Sequence, residues 1–138
     1  MPKELTFTKG ELSDVAVQIA AVLKSHKVIA LHGDMGAGKT TLVAALCKAL
    51  GSEDITGSPT FAIINQYQTR SGNTIYHMDW YRLKDEEEAM AAGVEDALYS
   101  GAICLVEWPD RAPALLPDGT LHLQILTLDE HSRKLVWL

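Results

Sequence analysis

The sequence has only two cysteines, no long apolar run and a shortage of positive charge. Both cysteines, Cys47 and Cys104, lie in stretches that we predict to be buried. Two such thiols exclude a disulfide framework and are typical of a reduced, cytoplasmic protein. No apolar run approaches the roughly 20 residues of a membrane-spanning helix, and the first residues carry no signal-peptide pattern. We therefore expect a cytoplasmic chain that does not associate with membranes.

The charge balance argues against direct binding to nucleic acid. The chain has 12 Lys and Arg against 18 Asp and Glu, a net charge of −6 at pH 7, and its basic residues are scattered. Strong nucleic-acid binding usually requires clustered basic residues that displace counterions from the phosphates. If nucleic acid is involved in the function, we expect a partner protein to hold it.

Glycines are concentrated in residues 33–40, which read G-D-M-G-A-G-K-T. This stretch matches G-x-x-x-x-G-K-[ST], the pattern of a phosphate-binding loop. The apolar run 28–31 before it predicts a buried strand, and the stretch 41–50 after it predicts a helix that ends at Gly51. Because strand, loop and helix follow in the order that the pattern requires, we predict a nucleotide-binding site here.

Each part of this loop has a chemical purpose. Glycines allow backbone N–H groups to wrap closely around phosphate oxygens at a helix N-terminus. Lys39 supplies a positive charge for the β- and γ-phosphates, and the Thr40 hydroxyl is a ligand type for Mg²⁺. The predicted nucleotide-binding residues are Gly33, Asp34, Met35, Gly36, Ala37, Gly38, Lys39, Thr40 and Thr41.

Two acids compete for the role that a neighbouring strand normally fills in such sites, holding Mg²⁺ or its water. Glu107 ends the near-continuous apolar run 102–107, which predicts a parallel strand buried on both faces. Asp79 ends a less apolar strand, 75–78. We favour Glu107 in the metal shell with Asp79 nearby, although either side chain is also compatible with a surface acid that ends its strand.

Three further side chains have more than one interpretation each. Trp108 is compatible with stacking on a base, with filling a partner's pocket and with ordinary packing in a loop. His77 is more typical of a half-buried strand histidine than of a base. Thr60, in Ser58-Pro59-Thr60, suits either a nucleotide-sensing hydroxyl or a proline turn that starts a strand.

The rest of the chain predicts one α/β domain, residues 1–138, built as a P-loop NTPase-like three-layer sandwich. Its central sheet is expected to be mixed and mainly parallel, with β-hairpins. Further predicted strands are 5–8, 61–69, 74–78, 121–128 and 134–138, and further predicted helices are 11–25, with Ser13 as N-cap, 85–93 and 94–100.

Four segments together resemble the TsaE (formerly YjeE) family, the ATPase of bacterial tRNA threonylcarbamoyladenosine biosynthesis. The loop alone is unspecific, but the His-x-Asp-x-Tyr-Arg and Glu-Trp-Pro segments make the resemblance specific. Trp80 departs from it, since a smaller apolar residue is expected there. The matching segments are residues 33–41, Ser58-Pro59-Thr60-Phe61, the stretch Tyr76-His77-Met78-Asp79-Trp80-Tyr81-Arg82-Leu83 and residues 103–109.

The resemblance implies a slow ATPase with ATP and Mg²⁺ as cofactors. It implies that Thr40 and Glu107 contact Mg²⁺ and that the protein acts with TsaD and TsaB. In that system TsaD transfers the threonylcarbamoyl group to adenosine 37 of ANN-decoding tRNAs, so the tRNA would be reached only through the partners. The catalytic residues that it implies are Lys39, Thr41, Asp79, Glu107 and Trp108.

Two other functions use the same loop. A small-molecule or nucleoside kinase needs arginines that converge on the transferred phosphate. The four arginines of this chain are instead widely spread. A non-catalytic nucleotide-sensing module would keep the loop without needing the chemistry of Asp79.

Overall fold

The structure, a computed structural model, describes residues 4–53 and 63–138. Within these ranges, no helix has the length and apolar character needed to cross a membrane. The strands are β1 (Glu4–Thr8), β2 (Val28–His32), β3 (Ile64–Gln68), β4 (Thr74–Asp79), β5 (Ile103–Glu107), β6 (Leu121–Thr127) and β7 (Ser132–Trp137). The α-helices are α1 (Leu12–Val22), α2 (Lys39–Ala49), α3 (Glu86–Ala91) and α4 (Val94–Leu98), and short 3₁₀ turns span Lys9–Glu11, Pro109–Arg111 and Pro113–Leu115.

All seven strands belong to one sheet, in the order β1-β7-β6-β2-β5-β4-β3. The central strands β6, β2, β5 and β4 are parallel to one another, whereas β3 runs antiparallel to β4 and β7 runs antiparallel to both β6 and β1. This confirms the predicted mixed, mainly parallel sheet and both hairpins, β3–β4 and β6–β7. The register pairs Leu31 and Asp79 with Glu107, so three strand ends meet at one edge of the sheet.

The two central strands β2 and β5 are apolar on both faces because helices cover both sides of the sheet there. Ile29 and Leu105 face the core formed with α1 and α2, whereas Val28 and Val106 face the core formed with α3 and α4. These two clusters of buried side chains separate three layers, which confirms the predicted sandwich. Trp80 lies fully buried in the second cluster, so its bulk is accommodated beneath the strand ends.

The loop between β2 and α2 needs glycine at two positions for different reasons. A Cβ on Gly33 would lie 2.8 Å from both the Cγ2 and the carbonyl oxygen of Ile125 on β6. Gly38, the N-cap of α2, has a φ of 102°, a conformation that L side chains rarely adopt. The predicted strand–loop–helix is confirmed, with the helix beginning at Lys39, two residues earlier than expected.

The first helix begins within one residue of its predicted start, but its N-cap was predicted wrongly. Its N-cap is Glu11 rather than Ser13, because the turn Lys9–Glu11 precedes it. The carboxylate of Glu11 accepts hydrogen bonds from the backbone and hydroxyl of Thr8, at 3.0 and 3.1 Å. The helix also ends at Val22, before the predicted end at residue 25.

Other predicted boundaries agree more closely with the structure. The predicted helices 85–93 and 94–100 correspond to α3 and α4, and Asp85 caps the first of them. The predicted strand 61–69 corresponds to β3 from residue 64 onward. Ser58-Pro59-Thr60 and the first residues of that strand lie outside the described residues.

The thiol of Cys104 generates a pH prediction. Cys104 is fully buried, and burial raises the pKa of its thiol from 9.0 to about 12. The unfolded chain therefore loses this proton first, so the free energy of unfolding should fall as the pH rises above 9, by up to about 1.4 kcal/mol per pH unit. Urea unfolding between pH 8 and 11 should show a steeper decline for the wild type than for Cys104→Ala, and parallel declines would contradict this.

Candidate functional site

The loop 33–38 lies at the sheet edge where β2, β4 and β5 end. A cleft at this edge collects residues from three separate parts of the sequence. Gly33 and Ala37 lie beneath it, Gly33 against β6 and Ala37 buried in the core. The residues lining the cleft are Asp34, Met35, Gly36, Gly38, Lys39, Thr40, Thr41, Asp79, Glu107 and Trp108.

Lys39 is buried at the start of α2, with 5% of its surface exposed. Its ammonium donates hydrogen bonds to the carbonyl of Gly33 and, at 3.3 Å, to that of Asp34. Burial lowers the pKa of Lys39, while Glu107, Asp79 and Asp34 act in the opposite direction. A cation that has lost much of its water beside a helix N-terminus attracts anions strongly.

Thr40 and Glu107 are in direct contact. The Thr40 hydroxyl lies 3.0 Å from Oε1 and 3.2 Å from Oε2 of Glu107, which is 2% exposed. A hydroxyl and a carboxylate are the hard oxygen ligands that Mg²⁺ uses alongside substrate phosphates. Residues 4–53 and 63–138 contain no cluster of three or more His, Cys, Asp or Glu that would hold a metal by protein ligands alone. The residues therefore fit Mg²⁺ that arrives with phosphate oxygens.

Asp79 lies beside this pair rather than in it. It is the register partner of Glu107 on β4, and its Oδ1 accepts a hydrogen bond from the backbone N–H of Tyr81 at 3.0 Å. The side chain faces the same cleft. Of the two competing acids, Glu107 is the one that contacts Thr40.

Trp108 forms one wall of the cleft. Its ring centroid lies 3.6 Å from the ammonium of Lys39 and 4.9 Å from the ring of Tyr81. Its φ of 56° is the only positive value for a non-glycine residue in the described part of the chain. Such a backbone conformation costs about 1–3 kcal/mol and is typical of functional sites. Thr41, in the first turn of α2, is exposed at the same cleft.

Comparison with known proteins gives a consistent result. Residues 7–135 match the family described as "Threonylcarbamoyl adenosine biosynthesis protein TsaE". The chain is 35% identical over 132 residues to the tRNA threonylcarbamoyladenosine biosynthesis protein TsaE of Bacillus subtilis, covering 96% of this chain and 82% of that protein. The TsaE protein of Haemophilus influenzae is 36% identical over 103 residues, covering 75% of this chain and 65% of that protein.

A solved structure agrees with the sequence comparisons. The crystal structure of Bacillus subtilis YdiB superposes with a TM-score of 0.75 at 30% sequence identity. The match covers 99% of this chain and 86% of that one. The α/β architecture described above is therefore shared with YdiB.

Two residues of the site were underestimated or missed from the sequence. His77 is fully buried and its Nε2 lies 2.6 Å from Oε2 of Glu107, so it is not a half-buried strand histidine. Its spacing of two from Asp79, which places both on one face of β4, was an available signal. Arg133 of β7 donates from Nε to the carbonyl of Ala37 at 3.1 Å. No local pattern links residues so far apart in the sequence.

Arg133 generates a prediction about the loop itself. Arg133→Met keeps most of the apolar stem but removes the bond to the Ala37 carbonyl, together with the bonds from the guanidinium to the carbonyls of Asp129 and Ser132 in its own hairpin. A charge-assisted bond of this kind contributes about 1.5–3 kcal/mol. Backbone amide exchange at Ala37, whose N–H bonds to the carbonyl of Asp34, should accelerate about tenfold or more. Lys134→Met, which removes only a surface ion pair with Glu4, is the control. Unchanged exchange in Arg133→Met would contradict the anchoring role.

Proposed function

The chain belongs to the TsaE family of tRNA threonylcarbamoyladenosine biosynthesis proteins, and from this premise we propose that it is an ATP-binding, slowly hydrolysing P-loop ATPase. In this proposal it is required for formation of the threonylcarbamoyl group on adenosine 37 of tRNA, and it acts with TsaD and TsaB. One observation carries the ATPase assignment: Lys39, Thr40 and Glu107 converge in a single cleft at a helix N-terminus.

Nucleotide binding follows from the loop. The N–H groups at the start of α2 and the ammonium of Lys39 would hold the β- and γ-phosphates. Thr40 and Glu107 would hold Mg²⁺, directly or through its water, and the bound ion would neutralise charge that develops on the phosphates. Trp108, already in contact with Lys39, would border the phosphate chain.

Hydrolysis would require a water held in line with the γ-phosphate, and Asp79, which lines the cleft beside Glu107, would orient it. No arginine lines the cleft among the described residues. Phosphoryl transfer is accelerated strongly when an arginine stabilises the transition state. Its absence supports slow turnover by the chain alone and argues against a self-sufficient kinase.

The partner requirement is supported by charge. With a net charge of −6 the chain is poorly suited to bind tRNA by itself, so TsaD and TsaB would hold the tRNA. The ATPase would then act on the protein complex rather than on the nucleic acid. This division of work agrees with the name that the relatives carry, which places them in the same biosynthesis.

Lys39→Ala tests nucleotide binding and its coupling to the partners. Affinity for Mg·ATP should fall by about 100-fold while the fold persists, because the buried charge that meets the phosphates is gone.

Wild-type hydrolysis should rise by at least about tenfold when TsaD and TsaB are added, with labelled phosphate released to water. The control Arg70→Gln, which removes a surface ion pair with Glu53, should match the wild type both in affinity for Mg·ATP and in hydrolysis. Equal turnover with and without partners, or transfer of label to a nucleoside or sugar, would overturn the proposal.

Asp79→Asn separates catalysis from nucleotide sensing. Positioned acid–base groups contribute about 10²–10⁴ in rate. Turnover should therefore fall by about 100-fold, with the dissociation constant for Mg·ATP changed by less than about twofold. Asp96→Asn, on the exposed surface of α4, is the matched control. Undiminished turnover and an undiminished partner effect in Asp79→Asn would favour a nucleotide-sensing module.

A further inference from the structure

His77 is a buried polar side chain that the proposed chemistry does not use. The buried polar and charged residues among those described are Lys39, Ser52, His77 and Glu107. His77 has no exposed surface, so it cannot touch a ligand in the cleft. Buried polar groups that persist in a core are normally hydrogen-bonded for a reason, and here each ring nitrogen has a partner.

The hydrogen bonds around His77 have one direction when Glu107 is ionised. The amide of Asn65 donates to the hydroxyl oxygen of Tyr67 at 3.3 Å, and that hydroxyl lies 3.3 Å from Nδ1 of His77. An ionised Glu107 can only accept, so the 2.6 Å contact requires a proton on Nε2 of His77. With Nε2 as the donor, Nδ1 of a neutral ring accepts from Tyr67. Asn65 then donates to Tyr67, Tyr67 donates to His77, and His77 donates to Glu107.

Strand register explains how this contact forms. His77 pairs with Leu105, two residues before Glu107 on the parallel neighbour β5. The side chains of Leu105 and Glu107 lie on one face of that strand, as do those of Ile75 and His77 on β4. The imidazole therefore reaches diagonally across the two strands and meets the carboxylate from inside the core, while the Thr40 hydroxyl meets it from the cleft side.

We propose that His77 is a positioning residue that fixes the Glu107 carboxylate for Mg·nucleotide binding. This inference rests on the proposed function. Its bond to Oε2 restrains rotation of the carboxylate and leaves Oε1, which His77 does not contact, 3.0 Å from the hydroxyl of Thr40, the other residue suited to Mg²⁺. Partners of this kind, one step removed from a metal, typically change metal affinity or activity by about 10–100-fold when they are removed.

The variants separate positioning from simple packing. His77→Leu fills the volume without a donor, whereas the side-chain amide of His77→Gln can still donate to Glu107. The magnesium-dependent gain in ATP affinity, measured by calorimetry with Mg²⁺ and with EDTA, should shrink by about 10-fold or more in His77→Leu. His77→Gln should recover most of the gain. ATP affinity in EDTA should change by less than about twofold in both. His26→Leu is the control. His26 precedes β2, at the end of the strand away from the cleft, and its Nδ1 contacts the carbonyl of Gly119.

A second readout needs neither nucleotide nor a variant. Nitrogen-15 NMR of the nucleotide-free wild type should show His77 carrying its proton on Nε2. A ring protonated only on Nδ1 would overturn the proposal. Equal loss of the magnesium-dependent gain in His77→Leu and His77→Gln, or an undiminished gain in His77→Leu, would also overturn it. If the wild type binds no nucleotide at all, the proposed function fails first, which distinguishes the two failures.

Discussion

The burial of one carboxylate, Glu107, is the constraint on which the rest of the site depends. An ionised carboxylate removed from water needs hydrogen-bond donors around it. Glu107 receives them from two directions, from Thr40 at the start of α2 and from His77 on the adjacent strand. Lys39 adds a positive charge nearby. The parallel strands deliver these groups together, since β2, β5 and β4 all end at the same edge.

Much of this arrangement could be predicted because it is encoded locally. The glycine-rich loop, the apolar runs of β2 and β5 and the turn between β3 and β4 each carry a short-range pattern, and each prediction was confirmed. The N-cap of α1 was missed because the 3₁₀ turn Lys9–Glu11, with hydrogen bonds between Thr8 and Glu11, leads directly into the helix and makes Glu11 the cap. The contact of Arg133 with the loop could not be predicted, because its bond to Ala37 depends on where the final hairpin lies.

The roles of the two acids were predicted only in part. Both Glu107 and Asp79 were predicted at strand ends, but no local pattern gives the strand order, in which β5 rather than β4 lies next to β2. That order gives Glu107 the contact with Thr40 and leaves Asp79 one strand further away, bonded to the N–H of Tyr81. The burial of His77 likewise depends on which strands flank β4, a property of the assembled sheet. Long-range order therefore decides which of two similar side chains meets the threonine.

The contacts of Lys39 bear on which anions can enter. Its ammonium is already bound by two carbonyls of its own loop and lies against the indole of Trp108. An incoming anion must displace these contacts, so it gains only the difference between two sets of bonds. A single phosphate group offers few oxygens for that exchange. In the proposed function a polyphosphate chain would reach the lysine and the helix amides at once, so these internal contacts of the loop would favour longer phosphate chains before any base is recognised.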